Sequence, residues 1–269
     1  MRTALLVSLL LGAAAALPAQ TDFFGGRVKA TLEQIRQDPA AYKNVKVEFK
    51  VQFASLGSLS NPFFTQFTPH EFANFHAWSH EQPIWREKSY KDVFGMLFLS
   101  KSNPNLDKLY ELDIYQGLRL TGVVRNIFQN TPWIEVLEFE PIEGKLDTPT
   151  LTHLYRGEKH MDQRQWQRAI AELSQANIDE LPPPAARAAL KNLGVCSLRL
   201  GETDRAVAQL EAANALGKDA EVASLLQTAR REPKLGLDRV TDAPKLKDSE
   251  RPIWDVFETG DKPPARPAR

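Results

Sequence analysis

The chain reads as an α+β protein of two domains, a small strand-built barrel followed by a short stack of repeated helices. Three observations predict this. Apolar Val45, Val47, Phe49, Val51 and Phe53 alternate with polar Lys46, Glu48, Lys50 and Gln52, the period of a strand with one buried face. Four more strand-like runs follow, up to Ile142. After them a segment beginning at Gly157 returns as a segment beginning at Gly194, 37 residues later, with helical spacing of its apolar residues.

The segment ahead of the first domain has another role. "MRTALLVSLLLGAAAALPAQ" carries one positive charge, Arg2, then an apolar run to Leu17, then Pro18 and Ala19. A basic start, a short apolar run and a small-residue end are the parts of a secretory signal, here residues 1–19 with cleavage expected after Ala19. The run is shorter than the roughly 20 residues of a membrane span. No cysteine follows it, so a lipoprotein anchor is excluded. The expected destination is outside the cytoplasm, periplasmic or secreted.

Totals narrow the function. The 34 Lys+Arg and 34 Asp+Glu cancel, which argues against a nucleic-acid partner, since backbone-tracking proteins carry a basic excess. One cysteine, Cys196, excludes an intramolecular disulfide; its place in an apolar helical run marks it as a buried small hydrophobe.

The first domain is expected over residues 28–146. Leu32 and Ile35 sit on a short helical pattern that Pro39 limits. The Val45–Phe53 strand comes next, then "EFANFHAWS" and "DVFGMLFLS". A short helix in "NPNLDKLYELD" places Leu106, Leu109 and Tyr110 on one side. "GLRLTGVVRNIF" and "PWIEVLEFEPI" supply two further strands, with Ile134, Val136 and Leu137 as inward candidates and "QNTP" as the turn between them. Three strands, a helix and two strands is the element order of the OB-fold, a five-stranded partly open barrel. "I-x-x-D-P-x-x-Y-x-x-x-x-V-x-V", Ile35 to Val47, resembles the opening of exported bacterial OB-like domains. "LRLTGVV" is similar to their fourth strand, where a glycine eases the bend.

"NPFFTQFTPHEFANFHAWSHEQPIW" is the unusual stretch. Phe63, Phe64, Phe67, Phe72, Phe75, Trp78 and Trp85 crowd together, with His70, His76 and His80 among them. Core and loop packing accounts for these rings first. Phe72, His76, Trp78, His80 and Trp85 are the candidate ligand surface, for a glycan or a peptide. Bases stacked on such rings need cations nearby, and Asn61 to Trp85 holds no Lys or Arg. The histidines lack a recognised zinc spacing, so no metal is expected. No nucleophile elbow, metalloprotease or phosphate-loop motif is present, so the reading is non-enzymatic, without a cofactor.

The helical half is expected over residues 150–231. Gly157, Ala169, Leu173 and Ala176 align with Gly194, Ala206, Leu210 and Ala213, and Gly201 stands in the turn of the second copy. This resembles the tetratricopeptide repeat, whose paired antiparallel helices keep small residues where they approach. The copies depart from that pattern at Arg156, His160 and Ser197. The lengthened period fits an insertion at Pro182–Pro184, between units. Ala206 should face its paired helix opposite Gly194, and Gln209 should lie on the outer face. "DAEVASLLQTARR" supplies a capping helix. Stacks of this family form concave surfaces, which implies a partner protein or peptide and a scaffold role; the alternative is an exported glycan-acting or glycan-binding protein using residues 63–85. Residues 232–269 are Pro- and charge-rich and read as a largely disordered tail carrying one apolar cluster, Ile253, Trp254, Val256 and Phe257.

Overall fold

A computed structural model describes residues 26–58 and 66–231. The signal segment, Phe63, Phe64 and the tail with its Trp254–Phe257 cluster lie outside the described residues.

The first half is a closed five-stranded barrel. After β1 (Val28–Lys29) and α1 (Leu32–Gln37) come β2 (Lys46–Leu56), β3 (Phe72–Ser79), α2 (Glu87–Lys91), β4 (Phe94–Ser100), α3 (Leu106–Tyr110), β5 (Gly117–Phe128) and β6 (Thr131–Pro141). The ring runs β2–β3–β4–β6–β5 and closes through β2–β5 pairing, Lys46 opposite Val123 through Gln52 opposite Gly117. Only β4–β6 within the ring is parallel, and β1 lies parallel beside β2. The alternation of β2 turns Val47, Phe49, Val51 and Phe53 inward to meet Phe75, Leu97, Leu99, Leu118, Leu120, Val124, Ile134 and Val136. Leu32 and Ile35 of α1 and Leu109 of α3 complete this core.

Local chemistry explains the bends. Thr31 caps α1 in a reciprocal box with Gln34. The Asp38–Tyr42 phrase makes consecutive turns into β2, and Asn44, with φ 61°, donates its N–H to the Val124 carbonyl at 2.8 Å. The β5–β6 register shifts at Thr121/Gly122, where a Cβ on Gly122 would stand 2.8 Å from the Glu135 carbonyl oxygen. That shift corrects the inward set of β6: Leu137 is half-buried, and Phe139 takes the inward place. Gln129 and Asn130, both at positive φ, are the whole hairpin turn, and Thr131 already pairs with Phe128.

The second half is helical: α4 (Thr148–Asp162), α5 (Trp166–Leu173), a 3-10 turn (Ile178–Glu180), α6 (Pro183–Arg199), α7 (Thr203–Ala215) and α8 (Ala220–Arg231). Pro183 and Pro184 open α6, where no intrahelical N–H is needed. The 37-residue offset is visible in the backbone. Gln163, Arg164 and Gln165 donate to the carbonyls of Lys159, Met161 and His160; Leu200, Gly201 and Glu202 donate to those of Cys196, Leu198 and Ser197. Both turns use a left-handed residue, Arg164 at φ 57° and Gly201 at φ 77°.

Packing repeats as well. A Cβ on Gly157 would lie 2.6 Å from Cγ of Leu173, and one on Gly194 would lie 2.7 Å from Cγ of Leu210. Each glycine therefore admits the leucine of the paired helix. Ala169, Ala176, Ala206 and Ala213 are all buried. One register detail is corrected. Gln209 is half-buried and accepts a hydrogen bond from the Ser197 hydroxyl at 2.9 Å, so it faces α6 and not solvent. Ser197 is fully buried, and its hydroxyl brings this polar partner in from α7. Ala208 is the exposed position on that turn.

Replacing Ala206 by Leu should force α6 and α7 apart and cost about 1–3 kcal/mol. Ala208→Leu, on the exposed side, should stay within about 0.5 kcal/mol. Denaturant midpoints of the two variants check this; equal midpoints would contradict the packing.

Candidate functional site

Where the barrel meets the helices, β3 and the segment after it supply the side chains. Along β3, Ala73, Phe75 and Ala77 point into the barrel, so Trp78 points out of it. Its ring stacks on Tyr115 at 5.7 Å between centroids, and its Nε1–H donates to the Tyr90 carbonyl at 2.9 Å. The Tyr90 and Tyr115 hydroxyls lie 3.0 Å apart. Ile84 and Trp85 continue this surface, and Leu151, Leu154, Ala185 and Ala189 of the helices and Leu181, just ahead of α6, pack onto it.

Glu158 of α4 ties this seam together. Its carboxylate accepts from Trp85 Nε1 at 2.9 Å, from Arg86 Nε at 2.7 Å and Nη2 at 2.9 Å, and from Asn192 Nδ2 of α6 at 3.2 Å. The hydrogen bond to Glu158 pushes Arg86 further above its ordinary range against burial, and Asp162 and Glu221 add to it. Glu221 belongs to α8 and pairs with Lys191 of α6 at 2.8 Å. Glu158 of α4 thus meets α6 through Asn192, and α6 meets α8 through Lys191. A groove of about 400 Å³ opens there, lined by Arg86, Glu87, Tyr155, Glu158, Lys159, Met161, Asp162 and Asn192. Lys159 Nζ stands 5.6 Å from the centre of the Tyr155 ring. Both charge signs and an aromatic ring border this groove, with the barrel closing one end.

The five residues of the candidate ligand surface do not form one surface. Phe72 sits edge-on to Phe67, which stacks on Phe98 beside Trp133. His76 lies on the outside of β3 between Ser55 and Gly95. Trp78, His80 and Trp85 are 2%, 4% and 3% exposed in the seam. A stacking platform needs an open ring face, and these indoles have none; burial against the helices is the physical reason. Cys196 is buried, and burial pushes its thiol up to about 12, so it is inert as a nucleophile. No group of three His, Cys, Asp or Glu able to hold a metal occurs among the described residues. No helix among them is long and apolar enough to cross a membrane.

Sequence reasoning missed Glu158, Arg86, Asn192, Tyr90 and Tyr115. One signal was present: the copies disagree at Glu158, where the second has Val195. A charge replacing an apolar residue at an equivalent helical place marks a contact peculiar to one unit.

No family model matches the chain, and no curated protein matches it. Among solved structures, one similar chain is a protein provisionally named an aspartyl-tRNA synthetase, from Leishmania major Friedlin. It is 8% identical with a TM-score of 0.31, and the alignment covers 50% of this chain and 24% of that one. This chain thus spans about a quarter of that protein's length.

Glu158→Ala should leave the Trp85 N–H and the Arg86 guanidinium without their acceptor. A loss on the order of 2–3 kcal/mol is expected, with a red shift of tryptophan emission ahead of global unfolding. Thermal melts followed by fluorescence and by circular dichroism check it; coincident curves at the wild-type midpoint would contradict the seam's role.

Burial lowers the pKa of His76, His80 and His160 from the ordinary value of 6.5. The unfolded chain then binds more protons than the folded one just below that value. The contribution of these histidines is fully present above pH 6.5 and is lost as pH drops through their lowered folded values. Melting temperature should decline between pH 7.5 and 5, and His160→Gln should flatten the slope.

Proposed function

We propose that this is an exported, non-enzymatic interaction protein, with an OB-fold-like barrel holding a tetratricopeptide-like helical array that receives a partner protein or peptide. The observation that carries this reading is the groove at the barrel end of α4 and α6. It has an aromatic ring, both charge signs and a carboxamide within one short channel, the functional groups that read a peptide's side chains and backbone. The strand order of the barrel supports the OB-like part. The twin turns and the twin Gly–Leu contacts support the repeat. Export rests on residues 1–19 alone. The buried indoles favour a peptide over a glycan, which would need their faces.

A displayed library of random peptides, panned against the purified chain, tests this. Enriched sequences should bind wild type and lose affinity about tenfold or more toward Tyr155→Ala and Lys159→Glu, the scale of an interface contact worth over 1 kcal/mol. No enrichment, or equal binding to both variants, would overturn it.

A further inference from the structure

We infer that the groove where the start of α6 lies beside the end of α7 seats the chain's own segment 251–257, docked in cis. This groove of about 800 Å³ shares no lining residue with the peptide groove.

Its walls are apolar and open to water. Ile178 of the 3-10 turn and Leu190 of α6 are half-buried there. Pro183 at the start of α6, Ala212 and Ala215 near the end of α7 and Leu216 just past it are exposed. Ala212, Ala215 and Leu216 fall on one helical stripe, and the two alanines leave room for larger side chains. The wall opposite is fixed in advance. The Lys145 N–H donates to the Glu180 carbonyl at 2.8 Å, and Gly144, at φ 96°, sits so close to Pro182 that a Cβ would stand 2.7 Å from its Cα. A preformed apolar groove of this size falls within the range of ligand sites, about 300–1,000 Å³.

Composition, charge and distance select the occupant. Residues 232–269 carry their two aromatic rings, Trp254 and Phe257, beside Ile253 and Val256. Such a cluster needs an apolar seat, and this groove offers one within the same chain. Glu143, Asp179 and Glu180 border the groove, and none of them is in an ion pair among the described residues. Arg251 stands two residues ahead of Ile253, with Lys247 before it, and supplies the charge that this rim lacks.

The distance is short. The 12 residues of α8 rise about 18 Å, so Arg231 lies roughly that far from the turn after Leu216. Residues 232–252 can span roughly 70 Å when extended, which reaches the groove with slack. A segment tethered in this way has an effective concentration of about a millimolar. An intrinsic affinity of only about 0.1 mM then keeps about nine-tenths of the chains docked, and a tenfold weaker one leaves about half. A second copy of the chain would have to supply that concentration itself, which favours docking in cis.

The test uses the full chain with its five tryptophans replaced by 5-fluorotryptophan, and the Trp254 fluorine resonance assigned through Trp254→Phe. In the folded chain that resonance should be displaced from its position in denaturant, with little change between H2O and D2O, and should be the same at every protein concentration. Ala215→Arg, at an exposed groove position, should move it about halfway or more to the free position. Asn214→Arg, also exposed on α7 but outside the groove, should not. Arg251→Glu should move it in the same direction as Ala215→Arg. The four other fluorine resonances, Trp78, Trp85, Trp133 and Trp166, report the fold; should Ala215→Arg disturb them, Leu216→Glu takes its place. A Trp254 resonance already free in the wild type overturns the inference. So does one that becomes free on dilution, which would mean a second copy as occupant. A response that is absent from Ala215→Arg, or equal in Asn214→Arg, places the segment elsewhere and overturns it too.

Discussion

Trp78 and Trp85 project from the outside of a closed barrel, and such rings cannot remain in water without cost. Each carries on the order of 200 Å² of surface, much of it apolar. At about 25 cal/mol per Å², that is roughly 5 kcal/mol per ring as an upper bound. The helical half depends on this surface. Leu151 and Leu154 of α4 lie against it, and α6 reaches it through Ala185 and Ala189. Glu158 then fixes the register, because one carboxylate takes an indole N–H and a guanidinium from adjacent residues after β3 and a carboxamide from α6. Apolar area supplies the attraction, and the directional bonds select one docking geometry.

The same seam completes an array that would otherwise be short. A helix pair cannot bury both of its faces alone, and stacked units need a covered end. Here the barrel covers the α4 end. At the other end α8 buries Val222, Leu226 and Ala229 against the stack and turns Ala223, Ser224, Gln227 and Arg230 outward. Two pairs and one helix thus have an apolar neighbour on one side and a polar face on the other.

The parts of this architecture that were legible in the sequence are those governed by short periods. Alternation located β2, and it turns the same residues inward in the fold. The 37-residue comparison located Gly157, Leu173, Gly194 and Leu210, and the two Gly–Leu contacts occur at those places. What was illegible depends on pairs far apart in sequence. Trp85 and Glu158 are joined across 73 residues, and no local pattern announces it. The aromatic stretch gave the kind of surface but not its use: crowded rings read alike whether they meet a ligand or another part of the same chain. Gln209 was misplaced for a smaller reason. Ser197 is buried, and a glutamine one helix away accepts from its hydroxyl.

The closure of the barrel has a kinetic meaning. Strand β2 must find β5 across a long stretch of chain, Lys46 against Val123, and contacts of such sequence separation form slowly. The helix pairs are local, with Gly157 only a short loop away from Leu173, and they form fast. Yet α4 has its apolar partner only once β3, set in a finished barrel, presents Trp78. The helices are then expected to form early and dock late, with the Leu151–Leu154 face open to solvent until the barrel is complete.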